Sequence, residues 1–215
     1  MSMNLSDSLE RIEDATTYAL FAIPVGRFEN PHHSTHKQIV LDYIESLAGS
    51  PNALQPDPRP YISRNITQVG PPNILELPQF VEIKSIISTA IHTLNQQAFA
   101  YNLPEEITFA DSYLELGQEN AMYAPHEHSN VLYSGTYFIN YDIEQHAPLK
   151  FRRTISSTYY PVLQYDNSLP TAFNQLESQI PYSEGDILLH PPNLQHGYEQ
   201  PSHPNRLTLS FNVSP

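Results

Sequence analysis

The sequence predicts a mainly β protein with flanking helices, whose second half forms an antiparallel sandwich or barrel. After Tyr101 the chain runs in short β-prone segments separated by proline, glycine, asparagine and aspartate clusters, a pattern typical of many-stranded antiparallel folds. Proline is frequent, at 20 of 215 residues, and glycine is scarce, at seven. Because proline closes strands and sets turns, this composition suits many short strands. The predicted strands are ITFADSYLEL, NVLYSGTYFIN, LKFRRTI, TYYPVLQY, GDILLH and RLTLSFNV.

The last predicted strand shows the clearest alternation. One of its faces is apolar and packs on apolar material, while the other is uniformly polar, because successive side chains of a strand point to opposite sides. The apolar residues are Leu207, Leu209, Phe211 and Val213, and the polar residues are Arg206, Thr208, Ser210 and Asn212.

The N-terminal half predicts two helices that brace the outside of the β core. After an extended segment at Asp14–Arg27, helical spacing of apolar residues predicts a helix over Ser34–Leu47, with Ser34 as its N-cap. A second helix is predicted from about Pro78 to Ala98. Residues 50–77, rich in proline and without periodicity, are predicted to form a long surface loop. The apolar stripe of the second helix comprises Phe80, Ile83, Ile87, Ala90, Ile91 and Leu94.

Composition narrows the class of protein. A net charge of −13 disfavours nucleic acid and membrane surfaces as partners, because both are anionic. The absence of cysteine excludes disulfides, thiol nucleophiles and iron–sulfur clusters. No apolar run reaches the length of a spanning helix, and the acidic N-terminus is unlike a signal peptide, so a cytoplasmic location is expected. One domain over residues 1–215 is expected, with helical support at about 1–104 and a β core at about 105–215.

Three histidines of the second half form a candidate metal site. His126 and His128 share one face if they lie on a strand, because residues i and i+2 point the same way. The best candidate for a third ligand is His196, which follows a strand and a Pro-Pro turn. Such ligands, gathered on one face with other positions open, suit a mononuclear non-haem iron(II) centre that takes a co-substrate and dioxygen.

Arg206 and Thr208 are candidate ligands for that co-substrate. Arg206 follows His196 by ten residues, and Thr208 lies on the same face of the last strand. A 2-oxoglutarate molecule chelates iron through its keto-acid end and needs a cation for its distal carboxylate. Arginine supplies that cation as a bidentate fork, and a neighbouring hydroxyl completes the contact.

These segments resemble the 2-oxoglutarate/Fe(II)-dependent oxygenases, and among them one small group. The matching segments are PHEHSNVLYSGTYFIN, PYSEGDILLHPPNLQHGYEQ and NRLTLSFN, and the resemblance covers roughly residues 105–213. It implies a double-stranded β-helix core, a cupin-like jelly roll. It also implies iron bound by His126 and His196, Arg206 holding 2-oxoglutarate, and hydroxylation of a substrate with release of succinate and carbon dioxide.

One position departs from the pattern of that superfamily and leaves alternatives open. The usual second metal ligand is an aspartate or glutamate two residues after the first histidine, and this chain has His128 there. His128 therefore also fits a three-histidine, cupin-like dioxygenase that uses no 2-oxoglutarate, although Arg206 and Thr208 argue against it. A third alternative is a jelly-roll protein that binds a metal or ligand without turnover.

The sequence indicates only the class of substrate, small and polar or peptide-like, and it permits a homodimer. Substrate choice is expected to lie in residues 50–77 and 142–182. His32, His33 and His36 are irregularly spaced and lack a carboxylate in register, so no metal is predicted there. His190 either supports the metal ligands or packs in the core.

Overall fold

The structure, a computed structural model, describes residues 22–50, 53–59, 61–153 and 175–215. The α-helices in these ranges are α1 (His33–Ser46) and α2 (Val81–Leu94). The strands are β1 (Gly26–Glu29), β2 (Leu54–Pro56), β3 (Ser63–Val69), β4 (Phe109–His126), β5 (Tyr133–Asn140), β6 (Lys150–Arg152), β7 (Glu177–Ser178), β8 (Asp186–His190), β9 (Gln195–Ser202) and β10 (Arg206–Val213).

All of these strands belong to one antiparallel sheet that curls back on itself. The order is β1-β8-β5-β10-β4-β9-β6-β7, and β3 and β2 extend it from β4. The first part of β4 pairs with β10, and its last part, from Ala121 to His126, pairs with β9. Asn120 lies between the two parts in the left-handed conformation, with φ of 59°, at an irregularity of the ladder. The predicted double-stranded β-helix with flanking helices is confirmed.

Alternation along the strands divides the core into two clusters. On β5, Tyr137 and Ile139 pack on one side with the helices, while Phe138 packs on the other. On β8, Ile187 and Leu188 divide in the same way. The first cluster joins the sheet to the helices, and the second fills the space that the curled sheet encloses.

The two predicted helices are confirmed, with small differences at their ends. All six residues of the second helical stripe are buried. Helix α2 is preceded by a 3₁₀ turn at Pro78–Phe80 and continued by a π turn at Asn95–Phe99. The predicted N-cap Ser34 is wrong, because α1 begins at His33 and no side chain caps it. Asn30 organises this start instead, since its Oδ1 accepts a hydrogen bond from the backbone N–H of His32 at 2.9 Å.

The prediction of a long surface loop over residues 50–77 is wrong. Strands β2 and β3 form a hairpin there, and a 3₁₀ turn at Ile74–Glu76 follows. Val69, Ile74 and Leu75 from this region are buried in the first cluster. Strand β3 was not predicted because its sequence, SRNITQV, is mostly polar; it pairs with β4.

The remaining strand predictions divide into those the structure describes and those it does not. The first part of β4, together with β5, β6, β8 and β10, falls within predicted segments. The predicted strand TYYPVLQY and the first part of the extended segment at Asp14–Arg27 lie outside the described residues. Strand β9 was not predicted, because its sequence, QHGYEQPS, has neither alternation nor a run of apolar residues. Across the ranges given above, neither helix has the length and apolar character needed to cross a bilayer.

Substitution of Leu209 tests how much the first core cluster contributes to stability. Its side chain is fully buried between Leu114 of β4 and Tyr137 of β5, its neighbours in register. We expect Leu209→Ala to lower the free energy of unfolding by about 2 to 5 kcal/mol, because the substitution removes buried methyl groups and leaves a cavity. Urea unfolding measures this loss. Leu41→Ala, at an exposed position of α1, is the control, and an equal loss there would contradict the assignment.

Candidate metal centre and anion pocket

Three histidines from two neighbouring strands converge in the structure. His126 ends β4, His128 lies two residues beyond that end, and His196 is the second residue of β9. His126 and His196 are register partners, and the backbone N–H of His128 donates to the carbonyl of Pro192 at 2.9 Å. One ring nitrogen from each of the three histidines lies within 4.8 Å of the corresponding nitrogens of the other two. Among the described residues, this is the one group of three or more histidine or acidic side chains placed to hold a metal ion.

Backbone carbonyls set the tautomer of two of these histidines. Nδ1 of His126 donates to the carbonyl of Ala124 at 2.9 Å, and Nδ1 of His196 donates to the carbonyl of Leu194 at 2.9 Å. Because a carbonyl only accepts, the proton of each ring must be on Nδ1, which leaves Nε2 unprotonated and able to donate a lone pair to a metal. A hydrogen bond on the far nitrogen of this kind is typical of histidines that ligate metals.

The spacing and ionisation of the rings also suit a metal ion. Nε2 of His128 and Nε2 of His196 are 3.3 Å apart, close to the roughly 3 Å that separates two nitrogens bound about 2.1 Å from one ion at right angles. Burial lowers the pKa of His128 to about 3, and burial also lowers the pKa values of His126 and His196. The three rings are therefore neutral near pH 7, the form that binds metals.

His190, whose role the sequence left open, packs against the site. Its ring centroid lies 4.2 Å from that of His196 and 5.4 Å from that of Phe151. Its Nδ1 donates to the carbonyl of Pro191 at 3.0 Å, and burial lowers its pKa to about 4. His190 does not belong to the group of converging nitrogens, so it supports the ring of His196 from the side.

Arg206 is a buried cation with an unused donor. Its side chain is 5 % exposed, and its Nε is one of two buried side-chain nitrogen or oxygen atoms in the described residues that lack a hydrogen-bond partner. Within those residues no carboxylate lies at ion-pair distance from it. A buried charge without a partner is costly unless an anion joins it.

Aromatic rings and phenols surround the guanidinium of Arg206. Its Cζ lies 4.3 Å from the ring centroid of Tyr198 and 5.4 Å from that of Phe138. Burial lowers the pKa of Arg206, but the phenols of Tyr198 and Tyr182 and the more distant carboxylate of Glu115 outweigh burial and raise that pKa. The second buried atom without a partner is Oη of Tyr141, a residue that also influences Arg206.

The histidines and Arg206 line one cavity inside the curled sheet. The polar face of β10 points into this cavity, and Thr208 is buried there with Arg206. Hydroxyl and amide groups form much of the remaining wall. These wall residues are Tyr113, Tyr123, Ser134, Thr136, Tyr198, Ser210 and Asn212.

Sequence reasoning missed a second arginine in this cavity. Arg59 forms ion pairs with Asp57 at 2.9 Å and Glu115 at 3.0 Å, and Glu115 also accepts a hydrogen bond from Ser210 at 2.5 Å. Burial raises the pKa of Asp57, but the hydrogen bonds from Arg59 outweigh burial, so the net shift of this pKa is downward. Burial raises the pKa of Glu115. The available signal was Glu115 itself, since a charge in the middle of a β-prone segment needs a partner.

The N-terminal histidines serve a different contact network. Nδ1 of His33 lies 2.8 Å from Oη of Tyr137, and its Nε2 lies 3.1 Å from Oε1 of Glu184. His36 is buried, and its Nδ1 lies 2.9 Å from Nδ2 of Asn30. These contacts join α1 to β5 and to the turn before β8.

Comparison with known proteins gives a likeness of structure. No protein-family model matches the sequence, and no curated protein matches it either. A prolyl-4-hydroxylase from Pseudomonas putida is 12 % identical, with a TM-score of 0.58 over 89 % of this chain and 92 % of that one. HygX from Streptomyces hygroscopicus, solved with nickel, 2-oxoglutarate and hygromycin B, is 12 % identical, with a TM-score of 0.60 over 90 % and 83 %.

A third similar structure carries a peptide. It is the prolyl hydroxylase from Trichoplax adhaerens in complex with a peptide fragment of the hypoxia inducible factor oxygen degradation domain. It is 12 % identical to this chain, with a TM-score of 0.58 over 88 % of this chain and 83 % of that one. At these identities the likeness shows the fold, the double-stranded β-helix described above.

Substitution of Gly197 tests whether the close packing of β9 on β4 holds the histidines together. A Cβ at this position would lie 2.5 Å from the carbonyl oxygen of Tyr123 and 2.9 Å from the carbonyl carbon of Ala124, which are backbone atoms. We therefore expect Gly197→Ala to separate His126 from His196 and to weaken binding of cobalt(II) at least about tenfold. Visible absorption of cobalt(II) measures the affinity.

Gly117→Ala is the matched control for that substitution. A Cβ at Gly117 would meet the side chain of Ala121 at 3.2 Å and no backbone atom closer than 3.5 Å. The affinity of the Gly117→Ala variant for cobalt(II) should stay at the wild-type value. Equal affinities in the two variants would show that the spacing of β4 and β9 does not control the convergence of the histidines.

Proposed function

We propose that the protein is an Fe(II)- and 2-oxoglutarate-dependent dioxygenase that hydroxylates a small polar or peptide-like substrate. The observation that carries this proposal is the buried guanidinium of Arg206, whose Nε has no hydrogen-bond partner in the part of the chain that the structure describes and which lines the same cavity as the three histidines. A metal site alone needs no such cation. A metal site that also takes a dicarboxylate needs one.

The residues present fit an iron ion. His126, His128 and His196 would hold it, with two of the three rings already set in the tautomer that exposes Nε2. Bound iron with 2-oxoglutarate supplies the oxidative chemistry, in which dioxygen and 2-oxoglutarate yield the hydroxylated product, succinate and carbon dioxide. The protein holds the reactants and needs no side chain as a general acid or base.

The residues around Arg206 fit the distal carboxylate of 2-oxoglutarate. The Nε of Arg206 is free to donate, and Thr208 is buried on the same face of β10. The ring of Tyr198 covers the guanidinium. Because these groups already lie out of water, an arriving carboxylate gains a charge-assisted hydrogen bond and relieves the desolvation of the arginine.

A polar wall supports a polar substrate. Tyr113, Ser134, Thr136 and Asn212 line the cavity in addition to the groups assigned to metal and co-substrate. The structures solved with hygromycin B and with a peptide show that this fold accepts ligands of both sizes. Residues 154–174, part of the region expected to select the substrate, lie outside the described residues.

The three-histidine, cupin-like dioxygenase is the second candidate. The observation that favours it is His128 itself, whose Nε2 lies 3.3 Å from Nε2 of His196 and leaves the proposed centre without a carboxylate ligand. This candidate has no use for Arg206. The two functions therefore differ in whether 2-oxoglutarate binds.

An anaerobic titration with iron(II), followed by 2-oxoglutarate, tests the proposal. Chelation of a keto acid to iron(II) produces a weak visible charge-transfer band, which we expect to appear and to saturate at one equivalent of 2-oxoglutarate. Iron binding without this band would favour the three-histidine dioxygenase or a metal-binding protein without turnover. Failure to bind iron would overturn the metal centre.

His196→Ala should abolish iron binding, because it removes a ligand whose lone pair is already directed by the Leu194 carbonyl. Equilibrium dialysis of the protein with iron(II) under argon measures this loss. His203→Ala removes an exposed histidine and should leave the affinity unchanged. Wild-type affinity in His196→Ala would exclude the site.

Arg206→Met should leave iron bound and raise the 2-oxoglutarate concentration for half-saturation at least about tenfold, since a hydrogen bond to a charged group is worth about 1.5 to 3 kcal/mol. The charge-transfer band follows this titration. Arg27→Met, which removes an arginine on β1, is the control. An unchanged half-saturation in Arg206→Met would exclude Arg206 as the carboxylate ligand.

A further inference from the structure

Arg59 is held in place by two buried carboxylates. Its Nε donates to Oδ1 of Asp57 at 2.9 Å, and one terminal nitrogen donates to Oδ2 of Asp57 at 2.9 Å and to Oε1 of Glu115 at 3.0 Å. The side chains of Asp57 and Glu115 are 2 % and 8 % exposed. Because Asp57 follows β2 and Glu115 lies on β4, Arg59 ties the β2–β3 turn to the wall of the cavity.

The backbone of Arg59 also organises that turn. Its N–H donates to Oδ1 of Asp57 at 2.8 Å. Its carbonyl accepts from the backbone N–H groups of Ile62 at 3.0 Å and Ser63 at 2.9 Å, and from Oγ of Ser63 at 3.1 Å. The position of Ile62 therefore depends on the conformation at Arg59.

Ala124 connects the turn to a metal-site histidine through the two peptide groups on either side of its Cα. The N–H of Ala124 donates to the carbonyl of Ile62 at 2.6 Å, and the carbonyl of Ala124 accepts from Nδ1 of His126 at 2.9 Å. A change in the backbone conformation at Ala124 would disturb both bonds. The orientation of the His126 ring is thus coupled to the turn by two consecutive hydrogen bonds.

A second contact reaches the same histidine through a side chain. The hydroxyl of Tyr123 lies 3.3 Å from both Asp57 and Glu115, the two partners of Arg59. The ring of Tyr123 lies 4.8 Å from the ring of His126, centroid to centroid. The guanidinium of Arg59 in turn lies 5.4 Å from the Tyr123 ring.

We propose that Arg59 is a positioning residue for the metal centre, acting on His126 through the Ile62–Ala124 hydrogen bond and through Tyr123. This role rests on the proposed function only in that a metal binds the three histidines. Without the guanidinium, the buried carboxylates of Asp57 and Glu115 would lose the cation that neutralises them, and we expect the turn to move so that water reaches them. The backbone at Ala124 and the His126 ring would then lose their set orientation.

Metal affinity in Arg59 variants tests this proposal. We expect Arg59→Met to weaken binding of iron(II) and cobalt(II) about 10- to 100-fold, the range typical when an outer hydrogen-bonding partner of a ligand is lost. Arg59→Lys keeps the charge without the fork that reaches both carboxylates, so its affinity should fall between those of Arg59→Met and wild type. If Arg59→Met does not fold, Arg59→Lys alone decides, and wild-type affinity in it overturns the proposal.

Arg27→Met is the matched control. Arg27 pairs with Asp186, whose side chain is 2 % exposed like that of Asp57, but it does so on β1 and β8. Its removal also leaves a buried aspartate without an arginine. We expect a similar loss of stability in Arg27→Met and Arg59→Met, and weaker metal binding only in Arg59→Met.

Hydrogen exchange tests the connection without any metal. We expect the N–H of Ala124 to exchange faster in metal-free Arg59→Met than in wild type or in Arg27→Met, because its acceptor on Ile62 is displaced. NMR of the metal-free proteins measures this rate. Unchanged exchange in Arg59→Met would overturn the route through Ala124.

The possible failures are distinguishable. Wild-type protein that binds neither iron(II) nor cobalt(II) overturns the metal centre of the proposed function. Equal metal affinities in wild type and Arg59→Met, with metal bound in both, overturn the positioning role of Arg59 and leave the proposed function in place. Equal weakening in Arg27→Met and Arg59→Met shows a general loss of stability and also overturns the positioning role.

Discussion

The pairing of the end of β4 with the start of β9 is the constraint on which the candidate site depends. It makes His126 and His196 register partners and leaves Gly197 against the backbone of β4 with no room for a side chain. His128, beyond the strand end, joins them because its own N–H is held by the Pro192 carbonyl. Since β4 pairs with β10 in its first part, the same strand places the histidines and Arg206 around one cavity.

The polar face of β10 gives this cavity its polar lining. An antiparallel strand at the surface would turn such a face to water, but both faces of β10 are largely buried. The apolar face meets the helices, which leaves the polar face directed to the interior, where every group must be satisfied by the protein or by a ligand. Asn212 is satisfied by Ser134 and Asp111, and Ser210 by Glu115. Arg206, at the start of the strand, retains a free donor.

Alternation and spacing made the core of this arrangement predictable, and long-range contacts made the rest unpredictable. The period of two along β10 and the helical stripe of α2 predicted both elements, because each buries a continuous apolar face. Strand β9 and the β2–β3 hairpin could not be found in this way, since their sequences are polar and take their structure from pairing with β4. His196 was selected by its type and spacing, while the sequence did not place Arg59 at the site, because its cavity-wall partner Glu115 lies 56 residues away and meets it only in the folded chain.

The two arginines of the cavity differ in the partners that the protein provides for them. Arg59 has two carboxylates within 3.0 Å and several hydrogen bonds, so its charge is neutralised by the protein and its removal would disturb the fold around it. Arg206 is more deeply buried, has no carboxylate at ion-pair distance among the described residues, and has a donor without a partner. In a chain with 23 acidic and only ten basic residues, a carboxylate partner for Arg206 would be easy to provide. Within the described residues none is provided, which leaves the Nε of Arg206 as the buried donor that our proposal assigns to the carboxylate of 2-oxoglutarate.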